Sequence, residues 1–410
     1  MSMHRRTIWP LSRLAVVGMA ALGLAVSACG SSSPKTAASS TAAPGAGSSA
    51  SSGATPTSGS GSSAIVTQAK AALVAGYAGT DRPLPTLAPT PKKGEKVVIV
   101  TCGLVAEGCA TAASAEQEAG NLIGWHMSIF DGKLDPSQYV VGVRQAIAEG
   151  AQGIILNTVD CGTVKSAVQQ ARAQGIAVLG VESLDCNDPS QGSGQSLFSG
   201  TMGYGKYTIQ TYNQDVLGPA IANYMIATTD GHAKVIEMHE DDVAGLVSLD
   251  KGFEARMAQC TTCVVYRTAF SGADLANGGL KSKAAAALVA HPDANAVYSP
   301  YDAAVLAGIG PAVKASGQKV IITGNEGITA SITSMRAGGY PTMVPGTPLR
   351  WNGFAAIDEI NRLLHHQPLV DEGIGYQIVD RAHMIPTRYK FYDGNTRTDY
   401  QAAYKKIWGA

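Results

Sequence analysis

Short apolar runs and amphipathic segments alternate along the chain from residue 96 onward. Each run is rich in Val and Ile and is bounded by turn residues, which is typical of a strand buried on both faces. An alanine-rich segment with apolar residues at helical spacing follows each run. The alternation predicts an α/β fold in which helices cover both faces of a parallel sheet.

Two sets of such elements flank an irregular stretch, 185–210, that has few apolar residues. The first set has predicted strands at 96–101, 123–130, 153–157 and 176–181 and helices at 137–149 and 162–174. The second has predicted strands at 234–238, 264–268, 296–299 and 320–323 and helices at 250–258, 278–290 and 302–315. Two similar halves, facing each other, would enclose a ligand beyond the carboxyl ends of their strands.

The amino terminus has the order of an export signal. Arg5, Arg6 and Arg13 precede an uncharged run at 14–28, and Cys29 follows directly. The run is shorter than the roughly 20 residues that a membrane-spanning helix needs, so a permanent span is the weaker interpretation. An ordinary secretory signal with an incidental cysteine is the other alternative. We therefore expect residues 1–28 to be a signal peptide.

Residues 29–63 are almost entirely small or polar, and only Lys35 is charged. Such a composition predicts a disordered tether, and residues 64–93 are expected to form a linker with a short helix. Loss of residues 1–28 leaves 28 basic and 31 acidic residues, a formal charge of −3. This near balance gives no support for a nucleic-acid partner. No later segment is apolar for long enough to span a bilayer.

Six cysteines remain besides Cys29, and an even number in an exported chain suggests disulfides. Spacing alone does not choose among the 15 possible pairings. Local geometry favours a bridge between Cys260 and Cys263, with a redox or zinc pair as the alternative. A zinc site would need a second pair at matching spacing, which the sequence lacks, so we expect neither a metal nor another cofactor.

Several segments resemble the type I solute-binding proteins of ABC importers, from the ribose and galactose group. They are FDGKLDPSQYVVGVRQAIAEGAQGIILNTVD from residue 130, KVIEMHEDDVAGLVSLDKGFEARM from 234, VYSPYDAAVLAGIGPAVKASG from 297 and RWNGFAAIDEINRLL from 350. The resemblance covers residues 96–409. The residues before Cys29 similarly resemble the lipobox of bacterial lipoproteins, which implies cleavage before Cys29 and a diacylglyceryl group on its sulfur.

The resemblance implies two Rossmann-like lobes with parallel sheets, joined by a three-strand hinge. The chain would cross between lobes near 212–213, 344–346 and 379–380. The amino-terminal lobe is then 94–212 plus 346–378, and the carboxy-terminal lobe is 213–345 plus 379–410. In this sheet order the third and fourth strands are neighbours, which implies a bridge between Cys161 and Cys186. Cys102 and Cys109 then remain to pair with each other.

Ligand-binding positions of the family fall on five residues of the first lobe. The loop after the first strand contributes Cys102, Leu104 and Glu107. Glu182 ends the fourth strand, where an aspartate commonly accepts hydrogen bonds from hydroxyls, and Ser183 occupies a position often held by arginine. A solvated acid or an ion pair is the alternative interpretation of Glu182.

In the second lobe, Val247 occupies a position where sugar binders of the family commonly have an arginine. Tyr301 replaces an asparagine and either stacks on the ligand or packs in the core. Glu326, at a strand end, either binds hydroxyls or caps a helix. Asp302 is also a candidate, although capping of its own helix is favoured. Asn325, beside Glu326, is another. Trp351 lies near the hinge, where packing competes with ligand stacking. His239, Glu240, Asp241 and Asp242 form a cluster that we interpret as a solvated turn.

The resemblance implies a substrate-binding lipoprotein that captures a sugar or polyol and delivers it to ABC permease subunits. We expect a monomer, lipid-anchored on the extracytoplasmic face of the cell membrane. An extracellular sensor that feeds a membrane signalling protein is the alternative. A hydrolase is disfavoured because the chain has no Gly-x-Ser-x-Gly, His-Glu-x-x-His or phosphate-binding glycine motif. A transcription repressor is disfavoured because a signal and a tether precede the core.

Overall fold

The computed structural model describes residues 60–394 and 398–410. The expected signal peptide, Cys29 and nearly all of the expected tether lie outside the described residues. Two separate sheets of parallel strands form two lobes, each covered by helices on both faces. The predicted fold class is therefore confirmed. No helix within the described ranges is both long and apolar enough to cross a bilayer.

The first lobe is built on a five-stranded sheet with the order β2-β1-β3-β4-β5. Its strands are β1 (Lys96–Thr101), β2 (His126–Asp131), β3 (Gly153–Asn157), β4 (Ala177–Val181) and the two-residue β5 (Gly200–Thr201). Its first helices are α2 (Glu107–Leu122), α3 (Pro136–Ala148) and α4 (Cys161–Ala173), preceded in the chain by α1 (Ser60–Ala78). All of β3 and β4 is buried, as their unbroken apolar runs predict.

The second lobe is built on a four-stranded sheet with the order β7-β6-β8-β9. Its strands are β6 (Lys234–Glu240), β7 (Val264–Phe270), β8 (Ala296–Tyr298) and β9 (Ile321–Ile322). The intervening helices are α5 (Ile209–Tyr212), α6 (Gly218–Thr228), α7 (Ala244–Met257), α8 (Gly272–Asn277), α9 (Gly279–Ala290), α10 (Asp302–Ala304), α11 (Gly310–Ser316) and α12 (Thr329–Arg336). π-helical turns join α5 to α6 and α10 to α11.

Two element boundaries differ from the prediction by three residues or more. Strand β2 begins at His126, because Ile123 caps the end of α2 and the chain turns at Gly124 with a φ of 83°. Helix α7 begins at Ala244, six residues before the predicted start. The first turns of α7 face the space between the lobes. Their apolar residues do not recur at regular helical spacing, so the sequence pattern indicates a helix only from residue 250 onward.

Two of the three connections between lobes are strands. β10 (Met343–Gly346) and β11 (Gln377–Asp380) pair antiparallel, at the positions where two crossings are predicted. The third connection, predicted near 212–213, is not a strand. The chain leaves the first sheet after Thr201, makes a bridge between Tyr204 and Tyr207, and enters α5, which packs with α7 of the second lobe.

The segment predicted as a linker is docked on both lobes. Helix α1 has 19 residues and packs against α6 and β11, with Ile65, Ala69 and Leu73 buried. The chain that follows runs along the first lobe, where the Arg82 guanidinium pairs with Asp371 at 2.7 Å. The backbone carbonyls of residues 87, 89 and 92 accept hydrogen bonds from Arg362, Asn361 and Trp125.

The end of the chain also departs from the prediction, which assigned residues 379–410 to the second lobe. Helix α14 (Tyr400–Trp408) packs on α13 (Leu349–Leu364), and α13 covers β3 and β4 of the first lobe. The Trp408 indole N–H donates to Asp358 at 2.7 Å, and the Tyr404 hydroxyl donates to Glu372 at 2.5 Å. Since these buried bonds fix α14, the last helix belongs to the first lobe.

The cysteines lie in the three predicted pairs at disulfide distance. Their Cα–Cα separations are 6.0 Å for Cys102–Cys109, 5.0 Å for Cys161–Cys186 and 5.3 Å for Cys260–Cys263. The second pair joins loops that follow the adjacent strands β3 and β4, in agreement with the predicted strand order.

Candidate functional site

A cavity of about 190 Å³ lies between the lobes, at the carboxyl ends of both sheets. It is smaller than the roughly 300–1,000 Å³ typical of sites for drug-sized ligands, which favours a small ligand. Its polar wall consists of Asn157, Thr158, Glu182, Asn213, Glu240, Asn325, Glu326, Thr347 and Asn352, together with Tyr139, Tyr204, Tyr212 and Tyr301. Leucine, valine, isoleucine and alanine side chains, four glycines, Pro300, Cys102 and Cys109 complete the lining.

Strand ends of the first lobe bring Asn157 and Glu182 to the cavity. Asn157 ends β3, and Glu182 directly follows β4. The Asn352 side-chain amide, from the first turn of α13, donates to Glu182 Oε1 at 2.9 Å and so fixes that carboxylate. Cys102, after β1, also lies in the wall, and its bridge to Cys109 ties the loop to α2.

Strand ends of the second lobe contribute Glu240, Tyr301 and Glu326. Glu240 is the last residue of β6 and is 3% exposed. The Tyr301 hydroxyl lies beside the Glu240 carboxylate. Glu326 follows β9 together with Asn325, whose Oδ1 accepts a hydrogen bond from the Glu326 backbone N–H at 3.0 Å.

Asp302 holds the loop that carries Glu326. Its fully buried carboxylate accepts hydrogen bonds from the backbone N–H groups of Asn325, Gly327 and Ile328 at 3.1, 2.9 and 3.0 Å. The prediction that Asp302 caps its own helix is therefore wrong, because both of its oxygens serve the loop after β9. Asp302 does not line the cavity and instead positions Glu326.

Glu182 and Glu326 have left-handed backbones, with φ of 50° and 93°. Thr158 of the wall has a φ of 55°. Such conformations are costly for residues other than glycine and concentrate at binding sites, where the surrounding structure enforces them. They turn these side chains toward the cavity rather than along the strand.

The acidic groups of the cavity resist ionisation. Burial raises the pKa of Glu240 to about 8 and also raises the pKa of Glu182. Burial raises the pKa of Glu326 well above its usual range, and the neighbouring charges of Asp302 and Glu182 add to the effect. A carboxyl in this setting either keeps its proton or requires donors from a ligand.

Contacts across the cleft join the two lobes directly. The Glu107 carboxylate, in the first lobe, accepts a hydrogen bond from the backbone N–H of Thr329 at the start of α12. Glu326 reaches back to the first turn of α2, where a Cβ at position 108 would collide with its carboxylate. Gly108 therefore permits the close approach of the lobes seen here.

Five of the eleven predicted ligand residues line the cavity: Cys102, Glu182, Tyr301, Asn325 and Glu326. Glu107 bridges the lobes instead, and Leu104 and Val247 lie outside the wall. The Ser183 hydroxyl donates to a carbonyl of β3 and accepts from Val159 N–H, so it joins loops within the lobe. Trp351 is completely buried, stacks on Tyr400 and is a packing residue.

Nine residues of the polar wall were not predicted from the sequence, among them Glu240 and Asn352. Glu240 belongs to the cluster interpreted as a solvated turn, yet β6 extends two residues beyond its predicted end and buries both His239 and Glu240. Its position at the carboxyl end of a predicted strand was the feature of the sequence that could have indicated a ligand-binding role. Asn352 adjoins Trp351 in the same helical turn, where neighbouring side chains differ by about 100° in direction.

Comparisons with solved structures find the same architecture. The 5-methylthioribose transporter solute-binding protein of Thermotoga lettingae is 17% identical, with 79% of this chain and 95% of that chain covered and a TM-score of 0.60. The arabinose ABC transporter binding protein of Shewanella sp. ANA-3 is 19% identical, with 76% and 95% covered and a TM-score of 0.58. The fructose-binding periplasmic domain of a hybrid two-component system is 16% identical, with 70% and 91% covered and a TM-score of 0.59.

A search of curated protein sequences returned no match. The family model for the periplasmic binding protein domain, however, matches residues 102–368, more than half of the chain. Proteins of this family bind solutes and are not enzymes. Together with two lobes that face each other across a polar cavity, this match shows that the chain belongs to the periplasmic binding protein family.

Proposed function

We propose that this protein is the substrate-binding lipoprotein of an ABC importer, which captures a small polar solute and delivers it to a permease. The ligand class is a sugar or polyol. The observation that carries the proposal is the interlobe cavity, where carboxylates and amides from the strand ends of both lobes surround a volume suited to a small molecule. Such groups accept hydrogen bonds from hydroxyls.

Closure of the lobes would couple capture to delivery. A ligand that contacts Glu182 of one lobe and Glu326 of the other binds the closed arrangement more tightly than the open one, and so shifts the population toward it. The permease then recognises the closed surface. We place the lobe boundaries as predicted, except that α14 joins the first lobe.

Thermal unfolding with a panel of sugars, polyols and nucleosides tests the ligand class. At a concentration 100 times the dissociation constant, a ligand adds ~2.7 kcal/mol to the free energy of unfolding. For a protein of this size the melting temperature should rise by roughly 2–8 °C. A panel without any shift would contradict the ligand class.

The lipid anchor is a separate part of the proposal, supported by the residues around Cys29. Two or more acyl chains hold a protein on a membrane, because each buried methylene contributes ~0.8 kcal/mol. Cys29→Ala should release the protein from the membrane fraction. Unchanged membrane retention of Cys29→Ala would refute the anchor.

A sensor role is the second candidate, since the fructose-binding domain of a two-component system shares this fold. Uptake of a labelled ligand distinguishes the two roles. Deletion of the gene should abolish uptake if the protein serves a permease. Normal uptake together with loss of a transcriptional response would establish the sensor role instead.

A further inference from the structure

Three glutamates from both lobes line the cavity, and no cationic side chain accompanies them. Glu182 belongs to the first lobe, and Glu240 and Glu326 belong to the second. Within residues 60–394 and 398–410, no lysine, arginine or histidine contributes to the wall. Apart from tyrosines, every ionisable side chain that a ligand would meet in this wall is therefore a carboxyl group.

Three arginines pair with acids outside the cavity. Arg82 pairs with Asp371, and Arg267 pairs with Glu254, each at 2.7 Å. Arg350 pairs with Glu118 on the outer side of α2. These three arginines therefore do not supply a positive charge to the cavity glutamates.

An independent observation also indicates a missing donor. Asn352 lines the cavity and is 1% exposed. Its Nδ2 donates to Glu182, which fixes the orientation of the amide, and its Oδ1 has no hydrogen-bond partner. A buried acceptor without a partner has lost the hydrogen bond that water would give it, so a ligand that supplies a donor here gains affinity.

Given the proposed solute-binding function, we infer that the ligand carries a protonated amine, which makes it an amino sugar or an amino polyol. An ammonium group presents three N–H donors and a positive charge, whereas a neutral sugar presents only hydroxyl donors. The ammonium compensates buried carboxylates that otherwise have no opposite charge. Its hydrogen bonds to carboxylates are also the stronger, charge-assisted kind.

Isothermal titration calorimetry with matched pairs of ligands tests this inference on the purified protein. The pairs are glucose with glucosamine, galactose with galactosamine, and sorbitol with glucamine. N-acetylglucosamine and N-acetylgalactosamine have the same nitrogen without its charge and serve as controls for size. We expect the charged member of a binding pair to have a dissociation constant at least about tenfold lower than its neutral partner, a difference of ~1.4 kcal/mol.

Charge-removing variants assign the preference to the cavity. Glu182→Gln and Glu326→Gln each keep the side-chain shape and remove one charge, so each should lose most of the amine preference. Glu149→Gln removes a charge from the exposed end of α3 and should leave the preference unchanged. Circular dichroism verifies that each variant folds. If Glu326→Gln does not fold, Glu182→Gln provides the same comparison.

The outcomes separate this inference from the function on which it depends. Neutral members that bind as tightly as the amines would overturn the amine class and leave the sugar-binding function intact. A retained amine preference in folded Glu182→Gln and Glu326→Gln would also overturn it. Absence of binding for every pair would overturn both the amine class and the sugar or polyol function.

Discussion

The carboxylate of Glu107 in the first lobe accepts a hydrogen bond of 2.9 Å from the backbone N–H of Thr329 in the second. Thr329 is the first residue of α12, so Glu107 caps a helix of the opposite lobe. The first N–H groups of a helix have no hydrogen-bond partner within the helix. The positive end of the helix dipole also lies there and attracts a carboxylate. Because this bond spans the cleft, separation of the lobes would break it, so it stabilises the arrangement seen here.

Replacement of Glu107 should therefore weaken ligand binding, although Glu107 does not line the cavity. We expect Glu107→Ala to raise the dissociation constant about 5- to 30-fold, since a charge-assisted hydrogen bond contributes ~1–2 kcal/mol. Calorimetry with the best ligand of the panel measures the change. Glu118→Ala, on the exposed face of the same helix, is the matched control and should bind normally. Equal affinities for both variants would contradict the proposal that Glu107 stabilises the ligand-binding arrangement of the lobes.

Trp351 should govern stability rather than recognition. Its ring stacks on Tyr400 with 5.6 Å between centroids, and its indole N–H donates to the Tyr404 hydroxyl at 3.3 Å. We expect Trp351→Ala to lower the free energy of unfolding by ~3–5 kcal/mol and the milder Trp351→Phe to bind ligand almost normally. Chemical denaturation and calorimetry measure the two effects. A tenfold loss of affinity in a stable Trp351→Phe would show that the indole belongs to the binding site.

Helix α1 should contribute to the stability of the folded core. Leu73 is 7% exposed and faces α6, whereas the adjacent Val74 is 70% exposed. We expect Leu73→Ala to cost about 2 kcal/mol of unfolding free energy and Val74→Ala to cost less than about 0.5 kcal/mol. Urea denaturation compares the two variants. If they unfold at the same urea concentration, α1 is not docked as described.

Stability should fall as pH rises through neutrality. Burial raises the pKa of Glu116 to about 8, and the Glu182 charge adds to this effect while the Asn157 amide opposes it. Between the usual pKa of about 4.3 and this raised value, the folded state holds a proton that the unfolded state has released. The unfolded state then binds fewer protons, so the free energy of unfolding decreases with increasing pH.

The variant Glu116→Gln removes this titration while it preserves the shape of the side chain. We expect its melting temperature to decline less than that of the wild type between about pH 5 and pH 9. Glu118→Gln, two residues along α2 and half exposed, should follow the wild-type curve. Parallel curves for Glu116→Gln and the wild type would show that Glu116 is ionised in the folded state.

The sequence was sufficient to predict the sheets, because strands such as β3 and β4 are buried on both faces and stand out as unbroken apolar runs. Glu182 and Glu326 were found because the family resemblance places ligand-binding acids at these two strand ends, which meet beside the cleft. Asn352 was missed because a helical sequence does not reveal which neighbour faces a cleft. The docking of α1 and α14 depends on partners distant in the chain, including Asp380 for Tyr77 and Asp358 for Trp408.

The central claim is that one small polar molecule binds between the lobes, in contact with both. A crystal structure of the protein with the ligand that gives the largest thermal shift tests it most directly. We predict electron density in the interlobe cavity, with hydrogen bonds from the ligand to Glu182 of the first lobe and Glu326 of the second. Ligand density at any other place, with the cavity free of it, would contradict the account.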